Sequence, residues 1–120
     1  MFSNFAVQTH TTERAITLVL TGELDLVSSP AMERVIDDLS RSDAELIIVD
    51  LSGLEFMDST GLHLVLRVQQ RAQEAGRRFA LIRGCEAVQR LFDLTGLADS
   101  LPVVDSAEQL LEADQAPGAS

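Results

Sequence analysis

The chain predicts an α/β domain built on a mixed, mainly parallel sheet. Strand and helix signals alternate along most of its length, as they do when helices cross over between parallel strands. Leu46-Ile47-Ile48-Val49 is an unbroken apolar run, the pattern of a strand covered on both faces. The first two strand signals are separated only by the polar Thr11-Thr12-Glu13-Arg14, short enough for an antiparallel hairpin.

Taken in order, Phe5 to Thr9 is a short edge strand with weak alternation. From Ala15 to Thr21 the pattern is firmer, because Ile16, Leu18 and Leu20 alternate with Thr17, Val19 and Thr21. Ser28-Ser29-Pro30 announces a helix by a serine cap and an early proline, and Met32, Val35, Ile36 and Leu39 form its apolar stripe. The buried strand at 46–49 ends at Asp50, and a loop containing Gly53 leads to Asp58-Ser59-Thr60-Gly61. A long helix follows to Ala75, where Gly76 supplies a left-handed stop. Phe79 to Ile82 is another short buried strand. Val88, Leu91 and Phe92 mark a helix closed by Gly96, and Leu101 to Val104 suits a last strand. Ser106-Ala107-Glu108-Gln109 is a capping box that opens a terminal helix. Residues 1–114 read as one domain and 115–120 as a flexible tail. The opening hairpin allows the right-handed crossovers to collect their helices on one side.

At 120 residues the chain suits one core and is too short for two. All nine basic residues are arginine against nineteen acids, for a formal charge of −10. Without a lysine there is no Schiff-base chemistry and no Walker-type phosphate lysine. The acidic balance repels a phosphate backbone, so nucleic acid is not an expected partner. One cysteine, Cys85, builds neither an internal disulfide framework nor a cysteine zinc site; its expected role is a small buried thiol. No secretory pattern opens the chain, and no run approaches the roughly 18 apolar residues of a membrane span. The expectation is a cytoplasmic protein with no membrane partner.

The most informative stretch carries the buried strand into Phe56-Met57-Asp58-Ser59-Thr60-Gly61-Leu62. Ser59 or Asp58 can cap the helix that starts there, a role that needs no function. Yet Asp58, Ser59 and Thr60 together offer more capping groups than one N-terminus needs. Projected at about 100° per residue, Leu64, Val65, Val68, Ala72 and Ala75 fall on a core side. His63, Arg67, Gln70, Arg71 and Glu74 fall on a polar side. Leu62 and Leu66 lie between these arcs, on the side of Ser59. Either they pack beneath a neighbouring helix or they form a docking strip for another protein. A helix N-terminus also tolerates a phosphorylated hydroxyl, since free amides and the helix dipole favour anions. Phosphate on Ser59 could not then be buried in a partner without cationic compensation.

Rival chemistries fail on the same residues. An aspartic protease needs Asp-Ser-Gly or Asp-Thr-Gly in two copies, and here an extra residue separates Asp58 from Gly61. The segment is not a Gly-x-Ser-x-Gly elbow, and His63, one turn beyond Ser59, reads as solvent-facing. An aspartate-phosphorylated receiver resembles Ile-Ile-Val-Asp50, but it needs a first-strand acidic pair and a lysine, and the chain has neither.

Three blocks in order, Gly22-Glu23-Leu24-Asp25 with Pro30, Asp50-Leu51-Ser52 before Phe56 to Leu62, and Val88 to Leu97, resemble the STAS domain, specifically the stand-alone anti-sigma factor antagonists. That resemblance implies a central sheet of four or five strands with helices mostly on one face. It implies a non-enzymatic regulator, without cofactor or metal and monomeric when free. Such a regulator binds a serine-kinase anti-sigma factor when unphosphorylated, frees a sigma factor, and is switched off by phosphorylation. The acceptor carried over is Ser59, with Thr60 a minor candidate, and a phosphatase resets it. Asp25 and Asp58, with Ser59, Thr60, Gly61, Leu62 and Leu66, are the expected partner surface. The family also contains scaffold subunits of stress-signalling assemblies and small partners of lipid-transport ATPases, which is the alternative reading.

Overall fold

A computed structural model describes residues 4–97, 99–106 and 108–109. Five strands form one sheet in the order β1-β2-β3-β4-β5, with β1 Ala6–Thr11, β2 Ala15–Leu24, β3 Leu46–Met57, β4 Arg78–Ile82 and β5 Val103–Val104. The opening hairpin is antiparallel, from Ala6 opposite Thr21 to Thr11 opposite Ile16, and every later pairing is parallel. Thr12 closes the hairpin turn: its amide donates to Ala15 O at 2.8 Å and its hydroxyl accepts from Ala15 N at 3.1 Å.

Three helices connect the parallel strands: α1 Ser29–Asp38 with a 3₁₀ turn to Arg41, α2 Ser59–Glu74, and α3 Glu86–Leu94. Each crossover moves one strand further along the sheet in the same direction. Right-handed crossovers in one direction place their helices on one face. The main core follows from that. Leu18, Leu20 and Leu24 of β2 and Ile47, Val49, Leu51 and Leu54 of β3 meet Met32 and Ile36 of α1, Val65 and Val68 of α2, and Val88 and Phe92 of α3. On the opposite face Ala15, Leu46, Ile48 and Ile82 form a smaller cluster with Val104 packed against it. Leu46 to Val49 thus feeds both faces, which is why the run shows no alternation.

The expected loop at Gly53 is strand. β3 continues to Met57, and its pairing with β2 slips by one residue at two places, between Val19 and Thr21 and between Gly22 and Glu23. Each slip resets the two-residue period, so buried Leu51, Leu54 and Met57 recur every third residue instead of alternating. Gly76 (φ +70°) and Gly96 (φ +74°) end α2 and α3, as their sequence positions imply. The terminal helix expected to open at Ser106 is described only at Glu108 and Gln109, whose Oε1 accepts from the Asp105 amide at 2.8 Å; residues 110–120, with the expected tail at 115–120, lie outside the described residues. Among the described residues no helix is long and apolar enough to cross a membrane.

Candidate functional site

The carboxyl ends of β2, β3 and β4 release three loops along one rim of the sheet, the position at which open α/β sheets present their sites. At its middle, β3 turns into α2. The Asp58 amide donates to Leu24 O at 3.3 Å, tying this corner to the end of β2. Asp58 is the residue before the helix, in extended conformation, and its Oδ1 accepts from the Gly61 amide at 3.1 Å. The capping choice is therefore resolved in favour of Asp58.

Ser59 is the first residue of α2 and is exposed; Thr60 beside it is half-buried. Among the described residues the Ser59 hydroxyl makes no hydrogen bond. Relieved of capping, it stands unengaged at the positive end of a 16-residue helix.

Gly61 brings the helix this close. A Cβ there would lie 2.7 Å from Leu24 O and 2.5 Å from Met57 Cγ. The Met57 side chain can move aside; the Leu24 carbonyl cannot without dragging β2. Gly61→Ala is expected to cost about 1–3 kcal/mol, read as a drop of several degrees in Tm. An unchanged Tm would mean that the corner is looser than these distances require.

Asp25, expected on the same surface, lies in the β2–α1 loop and is half-buried. Its Oδ1 accepts from the Ser28 amide and from the Ser28 hydroxyl, both at 3.1 Å, while its own amide donates to Ser28 Oγ at 2.8 Å. Ser28 also donates to Glu23 O at 3.0 Å. Ser28 does sit at the N-cap position of α1, but its hydroxyl does not cap the helix; it is 4% exposed and knots this loop instead.

The docking strip on α2 needs correction. Leu62 is only 4% exposed and belongs to the main core, so of its two readings the packed one holds. Leu66 is half-buried and packs against the same core. α2 is covered by the sheet on one side and by α1 on another, so its apolar arc is wider than a one-sided projection suggests. Leu66→Asp would accordingly lower stability before it reported on a partner. Ala75, projected into the core, is exposed, because it is the residue past the end of the helix. Gly61 is buried in the corner and His63 faces solvent. Cys85, expected to be buried, is exposed at the start of α3, with its Sγ 3.5 Å from Leu54 O.

Sequence patterning did not single out Leu26 and Val27. They are 71% and 67% exposed in the loop knotted by Ser28, two residues beyond the carbonyl that holds Asp58. Phe56, 46% exposed, pairs with Glu23 nearby. The one available signal was two branched apolar residues directly before a helix cap, where no strand or helix period could bury both. Among the described residues no group of three or more His, Cys, Asp or Glu side chains is placed to hold a metal ion.

Residues 6–110 match the STAS domain family. The chain is 28% identical over 105 residues to an anti-sigma-B factor antagonist of Staphylococcus aureus, an alignment covering 88% of this chain and 97% of that one. Its fold is similar to an anti-sigma factor antagonist from Mycobacterium paratuberculosis, with a TM-score of 0.82, 24% identity, and coverage of 92% of this chain and 93% of the other. It is also similar to the Bacillus anti-sigma factor antagonist SpoIIAA. In the unphosphorylated form the TM-score is 0.75 at 23% identity, covering 92% of this chain and 96% of that one. In the phosphorylated form it is 0.69 at 22%, covering 92% and 100%.

Proposed function

The chain belongs to the STAS domain family, and on that premise we propose that it is an anti-sigma factor antagonist switched by phosphorylation of Ser59. Unmodified, it binds a serine-kinase anti-sigma factor and so frees a sigma factor; phosphorylated, it lets the kinase go. The observation that carries this reading is the division of labour at one corner. Asp58 satisfies the helix amide, and Ser59 beside it is exposed with an unengaged hydroxyl. The 28% identity to an anti-sigma-B factor antagonist over most of both chains supports the same reading.

In the transfer step Ser59 Oγ attacks the γ-phosphorus of ATP. The bond from that phosphorus to the β–γ bridging oxygen breaks, ADP leaves, and the hydroxyl proton passes to a base on the kinase. This chain is the substrate and supplies a positioned hydroxyl. Release follows from electrostatics. The acceptor must lie against the nucleotide phosphates for transfer to occur. Once transfer is complete, a group of about −1.5 to −2 charges faces the remaining phosphates of ADP. Asp58 adds to the repulsion. Fold integrity is preserved, because the same phosphate sits at a helix N-terminus where anions are tolerated. A phosphatase then returns the chain to its binding form.

The test is mass spectrometry after incubation with ATP and each candidate serine-kinase anti-sigma factor. The expected product carries one phosphate on Ser59, and Ser59→Ala takes none. Modification confined to Thr60 or to another residue, or none with any kinase, would remove the proposal.

A further inference from the structure

We infer that Leu26 and Val27 are the apolar anchor by which this chain grips its kinase, and that they enter an apolar pocket bordered by arginine or lysine. The inference rests on the partner reading above and adds where the binding contact lies and what it must meet. Leu26 and Val27 are neighbouring large apolar side chains, 71% and 67% exposed, whereas the other exposed large apolar residues among the described residues, Phe56 and Leu94, are single. An adjacent exposed pair is what an interaction site presents, while scattered exposed leucines carry no message.

The loop that bears them is held rigid. Besides the Asp25–Ser28 contacts, Ser29 Oγ donates to Leu26 O at 2.9 Å and the Ser29 amide to the same oxygen at 3.4 Å. A loop already ordered loses little conformational freedom on docking, so its apolar contacts appear in the affinity. Its position is continuous with the Ser59 corner through Leu24, whose carbonyl holds Asp58.

Charge decides the rest of the partner's surface. Glu23, Asp25, Glu55 and Asp58 flank the anchor and the serine along the chain, and neither residues 15–33 nor residues 42–66 contain an arginine or lysine. Among the described residues the Asp25 and Asp58 carboxylates each spend only Oδ1 on intramolecular hydrogen bonds. A complementary surface is therefore cationic around its apolar centre. Those cations belong against Glu23 and Asp25 beside the anchor, whereas Asp58 stands next to Ser59 and faces the nucleotide phosphates with it, so the border does not offset the charge that phosphorylation adds.

The test uses the recombinant kinase that modifies Ser59 in the assay above, loaded with a non-hydrolysable ATP analogue. Its binding is measured by calorimetry against wild type, Leu26→Ser, Val27→Ser, the double variant, and Leu94→Ser as an exposed apolar control from α3. Each anchor variant is expected to bind about tenfold more weakly, with the wild-type Tm retained and Leu94→Ser within about twofold of wild type. Affinity is expected to fall as salt rises from low to physiological concentration. Wild-type affinity in the double variant, with Ser59 still phosphorylated, would overturn the anchor and leave the partner reading standing. Affinity that rises with salt would overturn the cationic border. If no kinase binds or modifies wild type, the partner reading fails and takes the anchor with it.

Discussion

Ser59→Asp is expected to bind the kinase on the order of a hundredfold more weakly than wild type, a loss of about 3 kcal/mol, while Ser59→Ala binds within about threefold. The two variants differ in one property that matters at this corner. Alanine can be desolvated against a partner as readily as an unmodified serine, whereas a carboxylate placed against nucleotide phosphates cannot. Neither substitution should disturb the fold. Ser59 is exposed, its hydroxyl carries no hydrogen bond within the described residues, and the helix cap belongs to Asp58. An acidic side chain in the first helical turn gains about 0.3–1 kcal/mol from the helix dipole. The Ser59→Asp Tm should therefore equal or slightly exceed that of wild type. Calorimetry and thermal unfolding on the same samples separate the cases. Equal affinity for both variants would mean that charge at residue 59 is not the switch, and a large Tm loss in either would place Ser59 inside the structure.

Gly22→Ala should be the most damaging of the glycine substitutions, with a stability loss of about 2–4 kcal/mol and a Tm roughly 10 °C or more below wild type. Gly22 has φ +85°, where a side chain is strained. An added Cβ would also fall 1.6 Å from Asn4 O and 2.6 Å from Asn4 C, on backbone that runs directly into β1. The least costly relief is for residues 4 and 5 to lift away, which would strip Phe5 from the main core it packs against. Gly76→Ala is the control. Its φ of +70° is comparable, yet nothing lies within 4 Å of the added carbon, so only the conformational part, about 1 kcal/mol, remains. Thermal unfolding with hydrogen exchange of the β1 amides distinguishes the two. Equal losses at Gly22 and Gly76 would show that the approach of Asn4 contributes nothing.

Gly22 also illustrates how far patterning reaches. In the sequence, Gly22-Glu23-Leu24-Asp25 has the composition of a polar turn, and only the Asp25 end of it is one. β2 runs through Leu24, because β3 lies beside it and absorbs two register slips on the way. The same pairing turned an expected Gly53 loop into strand. Neither extension leaves a mark in local composition, since the stabilising partner is some thirty residues away. The mainly parallel character of the sheet was legible for the opposite reason: each crossover is a local alternation of strand and helix.

By itself the sequence determined the α/β class, the opening hairpin, the stops at Gly76 and Gly96, and the crowded Asp58-Ser59-Thr60 start of α2. Each of these depends on backbone preference or hydrogen bonding among near neighbours in the chain. Only the tertiary structure decided that Asp58 and not Ser59 caps the helix, that Leu62 is sealed in the core, and that Leu26, Val27 and Cys85 face outward. Burial is a property of what arrives from elsewhere in the chain. The sheet and α1 closed over two sides of α2, and none of the described residues closed over the loop at Leu26 and Val27, so the exposed apolar surface was settled by packing and not by periodicity.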